Sequence, residues 1–233
     1  MIVTGIDNNR EDIIEWWIDN ALKYNKTEKI GVWDLGMSSA CRNKLKRKYK
    51  QVWFSEVVDG HIPRHEKKVG WYYKVHCVKE SPEQSVVWVD SDCQILTDIS
   101  DIFHLVPSGQ IGLTRDWCRN DTSFQNWWQT GVIAVNDRPS LLDTWHKRLW
   151  TPDEYGELIR GDQEALNALV GTGEHEQIVE LPQEYQWLRI SLNKGVKNDN
   201  IKVIHWTGPK GKRFIRDVLM KGGQYTGQQV DTI

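Results

Sequence analysis

No apolar run in the sequence approaches the roughly 18–20 residues of a membrane-spanning helix, so no transmembrane segment is expected. The N-terminus, Met1-Ile2-Val3-Thr4-Gly5, enters an apolar strand without the basic leader of a signal peptide, which makes the cytoplasm the expected location. Charge of one sign is also missing. With 30 basic and 32 acidic residues the formal net charge is -2, which argues against a nucleic-acid partner recruited by bulk charge. The four cysteines, Cys41, Cys77, Cys93 and Cys118, form no CxxC pair and no Cys/His cluster along the chain. That spacing argues against a structural zinc site and a disulfide framework, and most of them are expected to be buried thiols.

Repeats, low-complexity tracts and Pro/Gly/Ser linkers are absent as well. A chain of 233 residues can bury one generous core, so a single domain over 1–221 with a polar tail over 222–233 is expected. One residue type is abundant. Thirteen tryptophans exceed ordinary usage; core packing accounts for many, and the enrichment also leans toward proteins that stack sugar rings on aromatic faces.

Strand and helix patterns alternate along the chain. Apolar runs predict strands at Ile2–Ile6, Lys29–Leu35, Val52–Ser55, Val86–Val89, Gln94–Thr97, Ile111–Thr114, Gly131–Asn136, Ile178–Glu180, Trp187–Arg189 and Lys202–His205. Helical spacing predicts helices at Glu11–Tyr24, Ser38–Tyr49, Arg64–Lys79, Pro139–Trp150, Asp162–Val170 and Phe214–Lys221. Ser38 or Ser39 is the expected cap of the second helix, and Asp12 or the preceding asparagines the cap of the first. Such alternation defines an α/β protein with a mostly parallel central sheet flanked by helices. Ligands of these sheets collect at the carboxyl ends of the strands, where Asp7, Asp90 and His205 fall.

The segment Val86-Val87-Trp88-Val89-Asp90-Ser91-Asp92-Cys93 is the most informative. Four apolar residues end in two carboxylates one residue apart. Asp is a poor strand residue and is costly to bury unpaired, so the pair calls for a cation. The plain alternative is a strand ending in a solvated Asp-Ser turn. A second apolar strand, Ile201–His205, leads into Trp206-Thr207-Gly208-Pro209-Lys210-Gly211-Lys212. Its histidine can give an imidazole to a metal and its lysines can face a phosphate; a surface histidine with a basic loop is the plain alternative. Arg160-Gly161-Asp162-Gln163 opens a helix, where Asp162 is also a natural cap.

Taken in order, these short motifs resemble the GT-A glycosyltransferases, most closely the retaining family 8 and its galactosyltransferase- and glycogenin-like relatives. The resemblance runs from Ile2 to Lys212. It implies that Gly5, Asp7 and Asn9 hold the nucleotide base and ribose, and that Asp34-Leu35-Gly36-Met37-Ser38 is the family's turn after the second strand. Lys74 stands where a basic residue reaches the donor. Asp90, Asp92 and His205 would hold Mn²⁺ or Mg²⁺, a set of oxygens and one imidazole suited to such ions, with Asp90 also near the ribose. Gln129-Thr130-Gly131-Val132 lies where the family has Asn-x-Gly-Val beside the sugar; Gln129 for asparagine is a departure. Asp116 and Asp162 would contact the sugar, and Gln163 would face its anomeric carbon. Gly208, Lys210 and Lys212 lie in the late phosphate loop, where the family has one lysine followed by Pro-Trp; here two lysines flank Gly211 and Arg213-Phe214 follows.

What the resemblance implies is metal-dependent transfer of a sugar from a nucleoside diphosphate, preferentially UDP, to a carbohydrate or other hydroxyl acceptor, with retention of configuration. Gln163, Asp162 and Lys74 would be the catalytic residues. Three alternatives stay open from the residues. Asp116 or Asp162 could act as the base of an inverting enzyme. The fold could be a sugar- or nucleotide-binding scaffold without turnover. A metal hydrolase is the third, while a nucleotide-sugar pyrophosphorylase is disfavoured because Thr4–Asn9 is no glycine-rich phosphate loop.

Overall fold

The computed structural model describes residues 1–57, 69–116, 126–152, 159–171, 173–196 and 198–224. In chain order its elements begin β1 (Ile2–Ile6), α1 (Ile14–Tyr24), β2 (Ile30–Asp34), α2 (Ser39–Lys48), β3 (Trp53–Glu56), α3 (Val69–Glu80), β4 (Ser85–Val89) and β5 (Cys93–Ile95). They continue with α4 (Ile102–Leu105), β6 (Ile111–Leu113), β7 (Arg115–Asp116), β8 (Trp127–Trp128), β9 (Val132–Asn136), α5 (Leu141–Trp150) and α6 (Asp162–Val170). The last are β10 (Ile178–Glu180), β11 (Trp187–Leu188), α7 (Arg189–Asn193), β12 (Val203–His205) and α8 (Gly208–Asp217).

Seven strands form the central sheet in the order β10-β6-β9-β4-β1-β2-β3. Four of its six pairings are parallel, and β9 alone runs antiparallel to both neighbours. Val86, Val87, Trp88 and Val89 are all buried because helices or a second sheet cover both faces of β4. Alternation along the strands divides the core in two. Ile2, Ile6, Val32, Val87 and Val89 face α1, α8 and the small sheet β11-β12-β5, whereas Val3, Trp33, Val86, Trp88 and Ile133 face α3, α5 and α6. Burying each such side chain contributes about 1.5–3 kcal/mol before the entropy of ordering the chain.

Several expectations shift at element ends. The first helix opens with a 3₁₀ turn over Glu11–Ile13, and no side chain caps it. Ser38 does cap α2, accepting from the Cys41 N–H. The final helix starts at Gly208, six residues before the predicted Phe214, with Pro209 in its first turn. Proline needs no N–H partner there. Gly211 is required inside this helix, since a Cβ would lie 1.9 Å from the Trp206 carbonyl oxygen. Arg189 begins α7 rather than ending a strand, and the two-residue strands β7 and β8 carry no period that sequence could display. The predicted start of the third helix at Arg64 lies outside the described residues, as do Cys118 and residues 225–233 of the tail. No helix among the described residues is long and apolar enough to cross a membrane. The tryptophans serve mainly the core: Trp17, Trp88, Trp128, Trp145 and Trp206 are buried, and among the described residues only Trp71 is exposed.

Candidate active site

Sheet register assembles the site. Strands β1 and β4 are parallel, so Asp7 and Asp90 leave the sheet at the same edge. Because β9 is antiparallel to β4, with Val132 opposite Val89, it is the entry to β9 that reaches this edge. Gln129, Thr130 and Gly131 therefore stand beside Asp90, whose N–H donates to the Gly131 carbonyl at 2.8 Å. In the small sheet, β12 pairs antiparallel with β5 so that His205 lies opposite Cys93. The Trp206 N–H donates to the Asp92 carbonyl at 3.0 Å, fastening the last strand to the Asp-Ser-Asp turn.

The side chains converge on three carboxylates. Lys74, buried on α3, places Nζ 3.0 Å from Asp90 Oδ1 and 2.9 Å from Asp162 Oδ2, and donates to the Thr130 carbonyl at 2.8 Å. The Trp88 indole N–H donates to Asp90 Oδ1 at 2.6 Å. His205 Nε2 lies 3.3 Å from Asp92 Oδ1 and 4.0 Å from Asp90 Oδ2, and the Lys212 ammonium pairs with Asp92. Burial alone would lower the Lys74 pKa, but Asp162 and Asp90 outweigh it and keep the ammonium charged. Burial pushes the Asp90 carboxyl up, reinforced by Asp92 and opposed by Lys74. At Asp92 burial is outweighed by His205 and Lys212, which hold its carboxyl well below the usual range.

Three carboxylates thus face two ammonium groups, and this shortfall of positive charge is what a divalent cation would meet. Asp90, Asp92 and His205 fit a hard cation in donor type, with His205 Nε2 facing both carboxylates. Asp92, Cys93 and His205 also bring ligand atoms within 4.8 Å of one another, a cluster invisible along the chain and created by the β5–β12 register. Cys93 is a poor ligand as it stands. Its thiol donates to the Gly131 carbonyl at 3.9 Å and burial pushes its pKa well up. A protonated thiol offers little to a metal.

The remaining expected residues are distributed around this centre. Asp7 and Asn9 form a local turn at the end of β1, with Asp7 Oδ1 accepting the Asn9 N–H at 3.0 Å. Gly5 lies within β1 against Trp88 and Leu35, a packing position. Asp116 is buried at the end of β7. Asp162 does not cap α6: Gly161 holds the cap position, and the Asp162 carboxylate turns to Lys74 instead. Gln163 follows it, half-buried. Gly208 opens α8 with φ +79°, Lys210 is exposed on that helix, and Lys212 points back to Asp92.

Four supporting residues escape a reading of the sequence. Trp88 shares a strand face with Asp90, a spacing of two that offered a faint signal. Asn167 on α6 bonds both the N–H and the carbonyl of Trp128, tying α6 to the segment that leads to Gln129. Trp145 donates to the Asp162 carbonyl at 2.9 Å. Gln186 bonds Val132 and Gln129. Gly131 has a tighter role than a sugar-facing loop requires, because a Cβ there would lie 2.5 Å from His205 Nδ1 and 2.9 Å from Gln186 Nε2. Gly131→Ala is expected to displace the imidazole, lowering stability by about 1–3 kcal/mol and weakening Mn²⁺ binding; thermal melts and a Mn²⁺ titration measure the two effects.

A mostly parallel sheet, an Asp-Ser-Asp turn at its carboxyl edge and a closing histidine strand define the GT-A glycosyltransferase fold. Comparison with solved structures identifies the particular likenesses. The galactosyltransferase LgtC, solved with donor and acceptor sugar analogs, superposes with a TM-score of 0.67 over 99% of both chains at 15% identity. The glycosyltransferase GlyE of Streptococcus pneumoniae TIGR4 matches 90% of this chain and 55% of its own, with a TM-score of 0.65 and 16% identity. Mouse xyloside xylosyltransferase 1 matches with a TM-score of 0.59 over 88% of this chain and 96% of its own, at 12% identity. No protein-family profile matches the chain, and no curated protein matches its sequence.

Proposed function

We propose that this chain is a metal-dependent glycosyltransferase that moves a sugar from a UDP-sugar to a hydroxyl acceptor with retention of anomeric configuration. The observation that carries the reading is the convergence of Asp90, Asp92 and His205 above a buried Lys74–Asp162 pair, at the ligand-binding edge of a GT-A fold. Asp90, Asp92 and His205 would hold Mn²⁺ or Mg²⁺. An ion bound there would supply positive charge to offset that growing on the departing diphosphate.

The chain's own groups supply the rest. Asp7 and Asn9 hold the nucleoside, while Lys212, with Gly208 and Lys210 at the start of α8, adds positive charge beside the phosphates. Lys74 pairs with Asp90 and Asp162 and holds them in place. Asp162 accepts hydrogen bonds from sugar hydroxyls, with Asp116 on the neighbouring segment, and Gln129 meets the sugar from the entry to β9. Gln163 faces the anomeric carbon, and one solved LgtC structure is of an active-site mutant with glutamate in place of glutamine, which favours a glutamine in this role. Asp162 is occupied by its direct ion pair with Lys74, which favours a sugar-binding role over that of the base of an inverting enzyme. In retention the departing phosphate oxygen takes the acceptor proton on the same face.

Thermal-shift measurements with UDP, GDP and their sugars, each with and without Mn²⁺, test the reading. Stabilisation by UDP and UDP-sugars that requires Mn²⁺ is expected. Indifference to every nucleotide would leave a scaffold with a transferase fold and overturn the proposal.

A further inference from the structure

Gln186 follows a 3₁₀ turn, immediately before β11, and is 1% exposed. Its Oε1 accepts the Val132 N–H at 2.6 Å. A backbone N–H only donates, so the atom facing Val132 is the amide oxygen and the opposite end of Gln186 is the NH₂ group. That NH₂ lies 2.7 Å from the Gln129 side chain, which must therefore offer its own oxygen in return. The polarity of Gln129 follows without ambiguity: Oε1 inward to Gln186, NH₂ outward. The outward NH₂ has no partner among the described residues. Gln129 is also fixed at its main chain, where its N–H donates to the Thr114 carbonyl at 2.9 Å. It directly precedes Thr130, whose carbonyl receives Lys74, and Gly131, against which His205 rests.

We propose that Gln186 is a positioning residue for sugar specificity, locking the Gln129 amide so that the site offers N–H donors alone to the donor sugar at this position. The inference rests on the sugar-transfer reading above and narrows it. The sugar group met by Gln129 is an oxygen that accepts without donating, such as a ring oxygen or a carboxylate; a protonated amine at that position is rejected.

The test measures Kd for UDP and for UDP-galactose, UDP-glucose and UDP-xylose with Mn²⁺ at pH 8, taking the tightest sugar nucleotide as probe. Its advantage over UDP isolates the sugar's contribution. In Gln186→Glu the carboxylate still accepts the Val132 N–H but offers only acceptors to Gln129, which turns its NH₂ inward and its oxygen to the sugar. That advantage is expected to fall about tenfold. Gln129→Met should lose it to a similar extent, and the double variant should lose no more than either, because Gln186 acts through Gln129. Gln129→Glu reverses the polarity without touching Gln186, and serves if Gln186→Glu does not fold. An unchanged advantage in a folded polarity-reversing variant, additive losses, or a wild type that binds all three sugar nucleotides no better than UDP overturns the assignment while leaving UDP binding intact. Failure of the wild type to bind UDP at all overturns the UDP-sugar reading itself, and this inference with it.

Discussion

Replacing Asp92 by alanine is expected to abolish Mn²⁺-dependent binding of a nucleoside diphosphate and to lower turnover by about 10²–10³, the scale of a lost transition-state charge contact. Asp92 is the residue on which both neighbours of the turn converge, receiving His205 on one oxygen and Lys212 on the other. The substitution removes the carboxylate yet keeps the backbone link, since the bond from Trp206 is made to the Asp92 main-chain carbonyl. Fold and sheet should survive, and the loss should be one of function. Calorimetric titration of UDP, with Mn²⁺ and then with chelator, measures it. Wild-type binding that is undiminished in chelator would refute the metal assignment.

Replacing Lys74 by methionine should act mainly on stability, with a cost of about 3–5 kcal/mol, because it leaves the buried Asp162 and the half-buried Asp90 without their counter-ion. Methionine preserves most of the volume, so packing on α3 changes little. Urea unfolding at neutral pH measures the loss as a lower midpoint with an unchanged slope. A second change separates the causes. In Lys74→Met combined with Asp162→Asn one of the stranded charges is gone, and part of the lost stability should return. The sign with pH follows from the raised Lys74 pKa: its contribution is fully present below the ordinary lysine pKa and fades as pH rises through the higher folded value. Near pH 7 the contribution is complete. A midpoint within about 0.5 kcal/mol of wild type would show that the three groups do not form the ion-pair network described.

Much of this was open to a reader of the sequence, for identifiable reasons. Central strands such as Val86–Val89 are covered on both faces and so announce themselves as unbroken apolar runs. Asp90 and Asp92 stand out because carboxylates are rare at the ends of such runs. Direction is another matter: nothing in Val132–Asn136 distinguishes an antiparallel strand from a parallel one, although that direction alone brings Gln129–Gly131 to the site. Gly208-Pro209-Lys210-Gly211 has the composition of a loop, and only the close approach of Trp206 shows why glycine belongs inside a helix there. Gln186, Asn167 and Trp145 carry no local pattern at all. Their partners are distant in sequence, and polar contacts of that kind exist only once the chain has folded.

Among the described residues, the strand that carries His205 is the last one made. Asp90 and Asp92 leave the ribosome more than a hundred residues earlier, and Lys212 bonds Asp92 across a separation of 120 residues. Contacts this remote close late, because long loops must be ordered before they can form. Through most of synthesis the acidic turn therefore has neither its imidazole nor its α8 ammonium. A chain cut short before Val203 carries all seven strands of the large sheet and none of β12, so it would lack both the imidazole and the α8 ammonium that meet Asp92.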